Sequence, residues 1–443
     1  MERFMDNLVL ITKIFFWLTF SVGLCFFILY SFDWLNFFNS LRKKQNLSNY
    51  SPKKLRSFAI VIPARDESNV VKDLIASIQR QKYYGLIDIY LVADNCTDNR
   101  ATYNVGKKLG VNVLERFNNI NRGGNFAIQH ALRYIRDNNL LDKYDCYCSF
   151  DADNLLDENW VSEVNKTYDY YECSVVTSYR NSINFKDNWI SSSYAIQFIK
   201  ESDINNKSRS LFNAPQYING TGFSFTREIL QQTNFWDFNS LSHDVEFSQW
   251  LLINNIKTNY AENAIFYDEQ PIVYKDSIKQ RTRWSVGFNQ VFKMYGGSVF
   301  CSLFKPKRSK FSAYSNYLMI FPAIITFLTN ILLYLITSSL YLASFLLIKN
   351  NGLEHVYSEF NLASTLIYIL STPLIILFTI WINLFLQGIF VVVKNKKRIK
   401  ANKWQKFISI LAYPTFMLTY IPISLKALFI KKFSTKPIQR KAR

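Results

Sequence analysis

Apolar residues crowd both ends of this chain, while the middle alternates between apolar and polar segments. Leu8 to Tyr30 is an apolar run of roughly twenty residues, enough for a helix to cross a bilayer. Lys13 lies near its outer end, where its long stem lets the ammonium reach the interface. A cleaved leader would carry its charges before the apolar run and a small-residue site after it. Here the charges follow, at Arg42, Lys43 and Lys44. The segment therefore reads as an uncleaved anchor whose following chain starts in the cytoplasm.

From Ser57 the pattern changes to strand–helix repeats. Phe58–Pro63 is continuously apolar, as a strand buried on both faces must be. A helix is expected from about Ser68, a plausible N-cap. Ile87–Ala93 is a second strand closed by Asp94–Asp98. A further helix ends near Gly110, a natural C-terminal cap. Val111–Leu114 is a third strand, and Gly123–Gly124 opens the next helix. A fourth strand, beginning at Tyr147, runs out of apolar residues at Asp151-Ala152-Asp153-Asn154. Such repeats predict a doubly wound α/β sheet with helices on both faces. Later, Ser174–Tyr179 reads as a strand, and an amphipathic helix begins at Ser242–Phe247 with Phe247, Leu251 and Leu252 on one side. Phe300–Phe311 is basic and aromatic, a pattern for the membrane interface. Tyr317–Ile348 and Leu362–Val393 predict two crossings around an outer turn at Asn350–Asn361. Phe407–Ile430 carries Pro414 and Pro422 and is expected as a broken, re-entrant or interfacial hairpin, with a fourth span as the alternative.

Composition sharpens this picture. Of 443 residues, 49% are hydrophobic, and 52 basic against 33 acidic side chains give a formal charge of +19. The cations concentrate beside the apolar segments, at Arg42–Lys44, Lys305–Lys310, Lys394–Lys400 and Lys431–Lys432. That placement marks cytoplasmic flanks and a lipid bilayer surface; no nucleic-acid-binding signature accompanies it. The six cysteines lack metal-ligand spacing, and Cys146 and Cys148 should pack on one strand face as free thiols.

The candidate chemistry gathers at strand ends. In open α/β sheets ligands sit outside the carboxyl ends of the strands, and three such ends offer Asp66 and Glu67, Asp94, and the Asp151/Asp153 pair. Two carboxylates one residue apart suit a hard divalent cation. Arg122 with Gly123–Gly124 offers a cation and backbone amides at a helix start, which suits phosphate. Gly220 and Gly222 permit close backbone approach, Asp244 stands at a helix start, and Gln280, Arg283 and Trp284 share a basic, aromatic helix.

In that order, inside a segment bounded by membrane helices, these residues resemble the membrane-embedded, inverting family-2 glycosyltransferases, the group of cellulose, chitin, hyaluronan and poly-N-acetylglucosamine synthases. The resemblance covers roughly Phe58 to Gln290. It implies a GT-A fold with a Rossmann-like mixed sheet at residues 55–295, an anchor at 1–45, and interfacial and transmembrane helices with a basic cytoplasmic tail at 296–443. Asp66, Glu67 and Asp94 would hold the uridine of a UDP-sugar. Asp151 and Asp153 would engage the diphosphate and Mg²⁺ or Mn²⁺, with Asp153 the closer ligand. Asp244 would be the catalytic base, and Gln280, Arg283 and Trp284 would bind diphosphate and the acceptor's terminal sugar. The implied enzyme, of EC class 2.4, extends a β-linked polysaccharide and exports it across the cell membrane, with partner proteins possible; the alternative is a single transfer to a membrane lipid, as in ceramide glucosyltransferases. One departure is visible: the family places an acidic residue before the catalytic aspartate, and this chain has His243.

Overall fold

The computed structural model describes residues 2–306, 309–430 and 433. Lys307, Arg308 and the basic tail expected after residue 430, Lys431 and Lys432 included, lie outside them.

Eight strands build one mixed sheet: β1 (Phe58–Ala64), β2 (Ile87–Asp94), β3 (Asn112–Arg116), β4 (Cys146–Ser149), β5 (Leu155–Leu156), β6 (Val175–Ser182), β7 (Phe223–Thr226) and β8 (Thr258–Asp268). Their order is β3-β2-β1-β4-β7-β6-β8-β5. The first four are parallel, β7 runs antiparallel between β4 and β6, and β8 returns parallel to β6. The register pairs Phe58 with both Ile87 and Cys146. These parallel strands start level and run the same way, so the loops carrying Asp66, Asp94 and Asp151 leave the same edge, although β4 ends opposite Val61, three residues before β1 does.

Period-two alternation sorts the sheet into two cores. Phe58, Ile60 and Ile62, with Cys146 and Cys148, face the helices Ser68–Gln79 and Trp160–Tyr171 through Leu74, Ile75, Trp160 and Val164. Ala59, Val61 and Val92 face the helix Gly124–Asp137 and the aromatic group Phe223, Phe225, Trp236 and Phe247. Each such side chain contributes about 1.5–3 kcal/mol on full burial. All six cysteines are free. Local boundaries moved by a residue where backbone geometry dominates: Asp66 has φ 56°, so Glu67, not Ser68, takes the N-cap position. Gly110 does end its helix, at φ 72°.

Among the described residues, four stretches are long and apolar enough to cross a membrane: Arg3–Ser40, Ala323–Asn350, Leu362–Lys394 and Lys403–Leu428. The first packs along the second through two hydroxyl pairs, Thr12 with Ser344 at 3.0 Å and Thr19 with Thr337 at 2.8 Å. The crossing expected from Tyr317 begins instead at Ala323. Phe321 and Pro322 separate it from the helix Lys310–Ile320, because proline lacks the amide and disfavours helical backbone at the residue before it. The reversal expected at 407–430 is not seen, and Lys403–Leu428 is long and apolar enough to cross a membrane. Helices Lys403–Leu418 and Tyr420–Leu428 meet at Thr419, which keeps right-handed helical angles (φ −66°, ψ −10°), so the two prolines interrupt a rod without reversing it. Arg281, fully buried, fastens this rod to the helix Tyr274–Ser302 by donating to Phe416 O at 3.2 Å and Thr419 Oγ1 at 2.6 Å.

Candidate active site

A cavity of about 730 Å³ opens at the shared strand edge and continues toward the membrane helices. Seven of the expected residues line it: Arg122, Asp151, Gly220, Asp244, Gln280, Arg283 and Trp284. Asp66, Glu67, Asp94, Asp153 and Gly222 are outside its lining.

Asp151 follows β4 and is exposed, while Asp153 is 3% exposed and accepts from Asn154 Nδ2 at 3.1 Å. Two hard carboxylate oxygens, one reachable from the cavity and one held from behind, fit a Mg²⁺- or Mn²⁺-type cation. Gly220 and Gly222 both adopt left-handed backbone, at φ 76° and 69°. A Cβ on Gly220 would stand 3.6 Å from Asp244 Oδ2, so this turn brings main chain against the Asp244 carboxylate. Asp244 itself lies in the first turn of the helix His243–Ile253, where the dipole favours negative charge. A Cβ on Gly287 would strike Ser242 Oγ, so the helix bearing Gln280, Arg283 and Trp284 packs directly on that N-terminus. Gln280 Oε1 is buried without a hydrogen-bond partner, a polar atom left over for a ligand. Trp284 meets Tyr194 and Phe198 edge-on, each ring pair at 5.9 Å, giving the cavity an aromatic wall.

Of the expected residues outside the lining, Asp66, Glu67 and Asp94 are engaged with their own loops. Asp94 is buried and paired with Arg116 at 2.5 Å, and Arg116 also donates to Asn121 O at 2.7 Å. That tie connects the β2 end to the Arg122–Gly124 loop. Asp66 accepts from Thr97 N and Oγ1, and Glu67 accepts from Arg65 N at 3.1 Å. Asp66, Cys96 and Asp98 bring ligand-type atoms within 4.8 Å of one another, although Thr102 N and Oγ1 already donate to Asp98.

His243 departs from the expected acid in its electrostatics as well. It is partly buried in the cavity lining, with its ring edge-on to Trp236 at 5.8 Å and, among the described residues, no hydrogen-bond partner for Nδ1. Burial pushes its imidazole down, Arg283 adds to that, and Asp244 opposes it. A neutral ring therefore stands where a second negative charge would raise the cost of ionising Asp244.

Lining residues not anticipated from the sequence include Arg180, Glu201 and Asp268. Glu201 accepts from Gln197 at 2.7 Å, and burial pushes its carboxyl up against the pull of Gln197 and Arg180. Arg180 and Asp268 form a buried ion pair. An arginine in the strand Val175–Ser182, buried along its whole length, and an aspartate directly after the apolar run Ala264–Tyr267, were the available signals.

Comparison with known proteins follows this geometry. Residues 149–393 match the model described as glycosyl transferase family group 2, and residues 59–233 that of glycosyl transferase family 2. The chain is 22% identical over 313 residues to a poly-beta-1,6-N-acetyl-D-glucosamine synthase of Staphylococcus epidermidis, covering 70% of this chain and 69% of that one. A synthase of the same name from Staphylococcus aureus is 21% identical over 65% of each. Among solved structures, a mannosyltransferase of Pyrobaculum calidifontis in complex with GDP-Man and Mn²⁺ aligns with TM-score 0.49 and 12% identity, covering 96% of this chain and all of that one.

Proposed function

The chain belongs to the family-2 glycosyltransferases, and from that premise we propose that it moves a sugar from a UDP-sugar onto a growing β-linked saccharide by a single inverting displacement. The observation that carries this reading is that Asp151 and Asp244 line one cavity, on either side of the Gly220 turn. Asp244 takes the proton of the acceptor hydroxyl as it attacks, so no covalent sugar–enzyme intermediate is needed. Arg283, Gln280, Arg122 and the Gly123–Gly124 amides stabilise charge developing on the leaving diphosphate in a water-poor site. Asp151 and Asp153 hold a divalent cation, whose Lewis acidity would neutralise part of that charge. Asp66, Glu67 and Asp94 frame the nucleoside, and Trp284 offers a flat face to the acceptor ring.

The curated relatives are named for N-acetyl-D-glucosamine polymers, which makes UDP-N-acetylglucosamine the first donor to test. In this reading residues 1–45 are the anchor, 55–295 form a cytoplasmic catalytic domain, and 296–443 add interfacial and membrane helices. The cavity lining continues through Leu318, Ile324, Asn383 and Gln387, which supports export of the product between the membrane helices. The apolar part of that lining, Leu318 and Ile324 with Phe321 and Met417, supports a second reading in which a membrane lipid is the acceptor. Membranes containing the chain, supplied with radiolabelled UDP-N-acetylglucosamine or UDP-glucose and Mn²⁺, should form label that sediments as polymer and is lost on chelation. Label in a solvent-extractable lipid selects the second reading. Turnover of neither donor refutes both.

A further inference from the structure

A buried guanidinium in the cavity wall is tied to the residue preceding the Gly220 turn. Arg180 sits in β6, whose eight residues are all buried, and is itself 8% exposed. A cation there costs several kcal/mol unless its donors are matched, and this one is matched on three sides. Nε donates to Asp268 Oδ2 at 3.0 Å and Nη2 bonds to the same oxygen. Nη1 donates to Asn219 O at 2.8 Å, one residue before Gly220. Its face lies over the Phe198 ring, 3.5 Å from the centroid, and that ring is part of the aromatic wall with Trp284.

Asp268 continues the connection toward the donor side. Its Oδ1 accepts from Asn154 Nδ2 at 3.1 Å, and the same amide reaches Asp153 Oδ1 at 3.1 Å. Asn154 Oδ1 accepts from Thr221 Oγ1 at 2.6 Å, and that hydroxyl oxygen accepts from Asp151 N at 3.0 Å. Gln270 Nε2 donates to Asp268 Oδ2 at 2.7 Å, so both carboxylate oxygens are engaged. Asn154, Asp268 and Arg180 thus connect the Asp153 carboxylate to the main-chain oxygen of Asn219 through consecutive hydrogen bonds. Buried hydrogen-bonded connections of this kind rigidify what they join.

We propose that Asn154, Asp268 and Arg180 are positioning residues that fix the Asp153 carboxylate relative to the Gly220 turn and Asp244, so that affinity for the divalent cation depends on Asn154. The inference rests on the reading of Asp153 as a cation ligand. A purely structural network would lower stability on mutation without touching cation affinity, whereas partners that orient a ligand typically change affinity 10–100-fold.

The test uses the purified full chain in detergent with UDP, and Mn²⁺ as the probe, its free concentration followed by electron paramagnetic resonance alongside a thermal midpoint. Asn154→Ala leaves the Arg180–Asp268 pair intact and should weaken Mn²⁺ binding about tenfold or more. Thr221→Val, nearly isosteric, removes the hydroxyl that holds Asn154 and should weaken it in the same direction if the alanine variant does not fold. Wild-type affinity in a folded variant, whatever its midpoint, overturns the positioning role. Absence of Mn²⁺ binding by the wild type would instead sink the reading of Asp151 and Asp153 as ligands, and this inference with it.

Discussion

Replacing each of the two turn glycines by alanine separates folding from chemistry. Gly220 and Gly222 have nearly the same backbone conformation, φ 76° and 69°, so an alanine at either position carries the same left-handed cost of about 1–2 kcal/mol. They differ in what the new methyl meets. At 222 it would run into the Phe266 ring. That ring is 1% exposed and packs edge-on to Phe150 at 5.9 Å, so it has nowhere to retreat. Overpacking of this kind adds about 1–3 kcal/mol. At 220 the methyl would stand 3.6 Å from Asp244 Oδ2, an ordinary contact. With about 2–4 °C lost per kcal/mol in a domain of 150–250 residues, Gly222→Ala should melt roughly 2–12 °C below Gly220→Ala. Gly220→Ala should fold but transfer sugar about a hundredfold more slowly, since a methyl beside Asp244, the proposed base, would displace the acceptor by about an ångström. Thermal melts in detergent and transfer rates at saturating donor measure both effects. Equal midpoints for the two variants would refute the packing argument, and wild-type transfer by Gly220→Ala would refute the assignment of Asp244.

Asp244→Asn should lower transfer about 10²–10⁴-fold while leaving UDP affinity within a few-fold, measured by calorimetric titration; retained transfer removes the residue from the reaction. His243 carries a pH signature. Its imidazole is pushed below the ordinary value near 6.5 by burial, so the folded state resists a proton that the unfolded chain accepts. Its contribution to stability is full above pH 6.5 and is lost as pH falls below that value toward the lowered folded one. Melts between pH 7.5 and 5 should therefore fall less steeply for His243→Gln than for the wild type, and parallel slopes would refute the account.

Much of the architecture could be read from residue patterns because burial enforces them. The apolar run at Phe58–Pro63 is a strand covered on both faces, and the carboxylates after it and after β2 and β4 leave one edge because these strands run the same way from a level start. The insertion of β7 between β4 and β6 was not readable. A pairing between residues 146–149 and 223–226 leaves no local trace in either segment. Pro322 was visible as a residue, but a continuous apolar stretch concealed the break it makes. Pro414 and Pro422 misled in the opposite direction, since a proline removes one helical hydrogen bond without demanding a reversal. Arg180 and Asp268 went unassigned because each looks like an isolated polar residue until the sheet brings them together.

The two hydroxyl pairs between the first and second membrane-crossing stretches have a temporal consequence. Thr19 emerges from the ribosome more than three hundred residues before Thr337, which at 5–20 residues per second is roughly 15–60 s. During that interval its hydroxyl has only Phe15 O, 2.8 Å away on its own helix, to satisfy it. If these stretches cross a bilayer as proposed, the earlier helix would wait in lipid while the intervening sheet is translated, and replacing Thr12 and Thr19 by apolar residues would leave Ser344 and Thr337 without their counterparts.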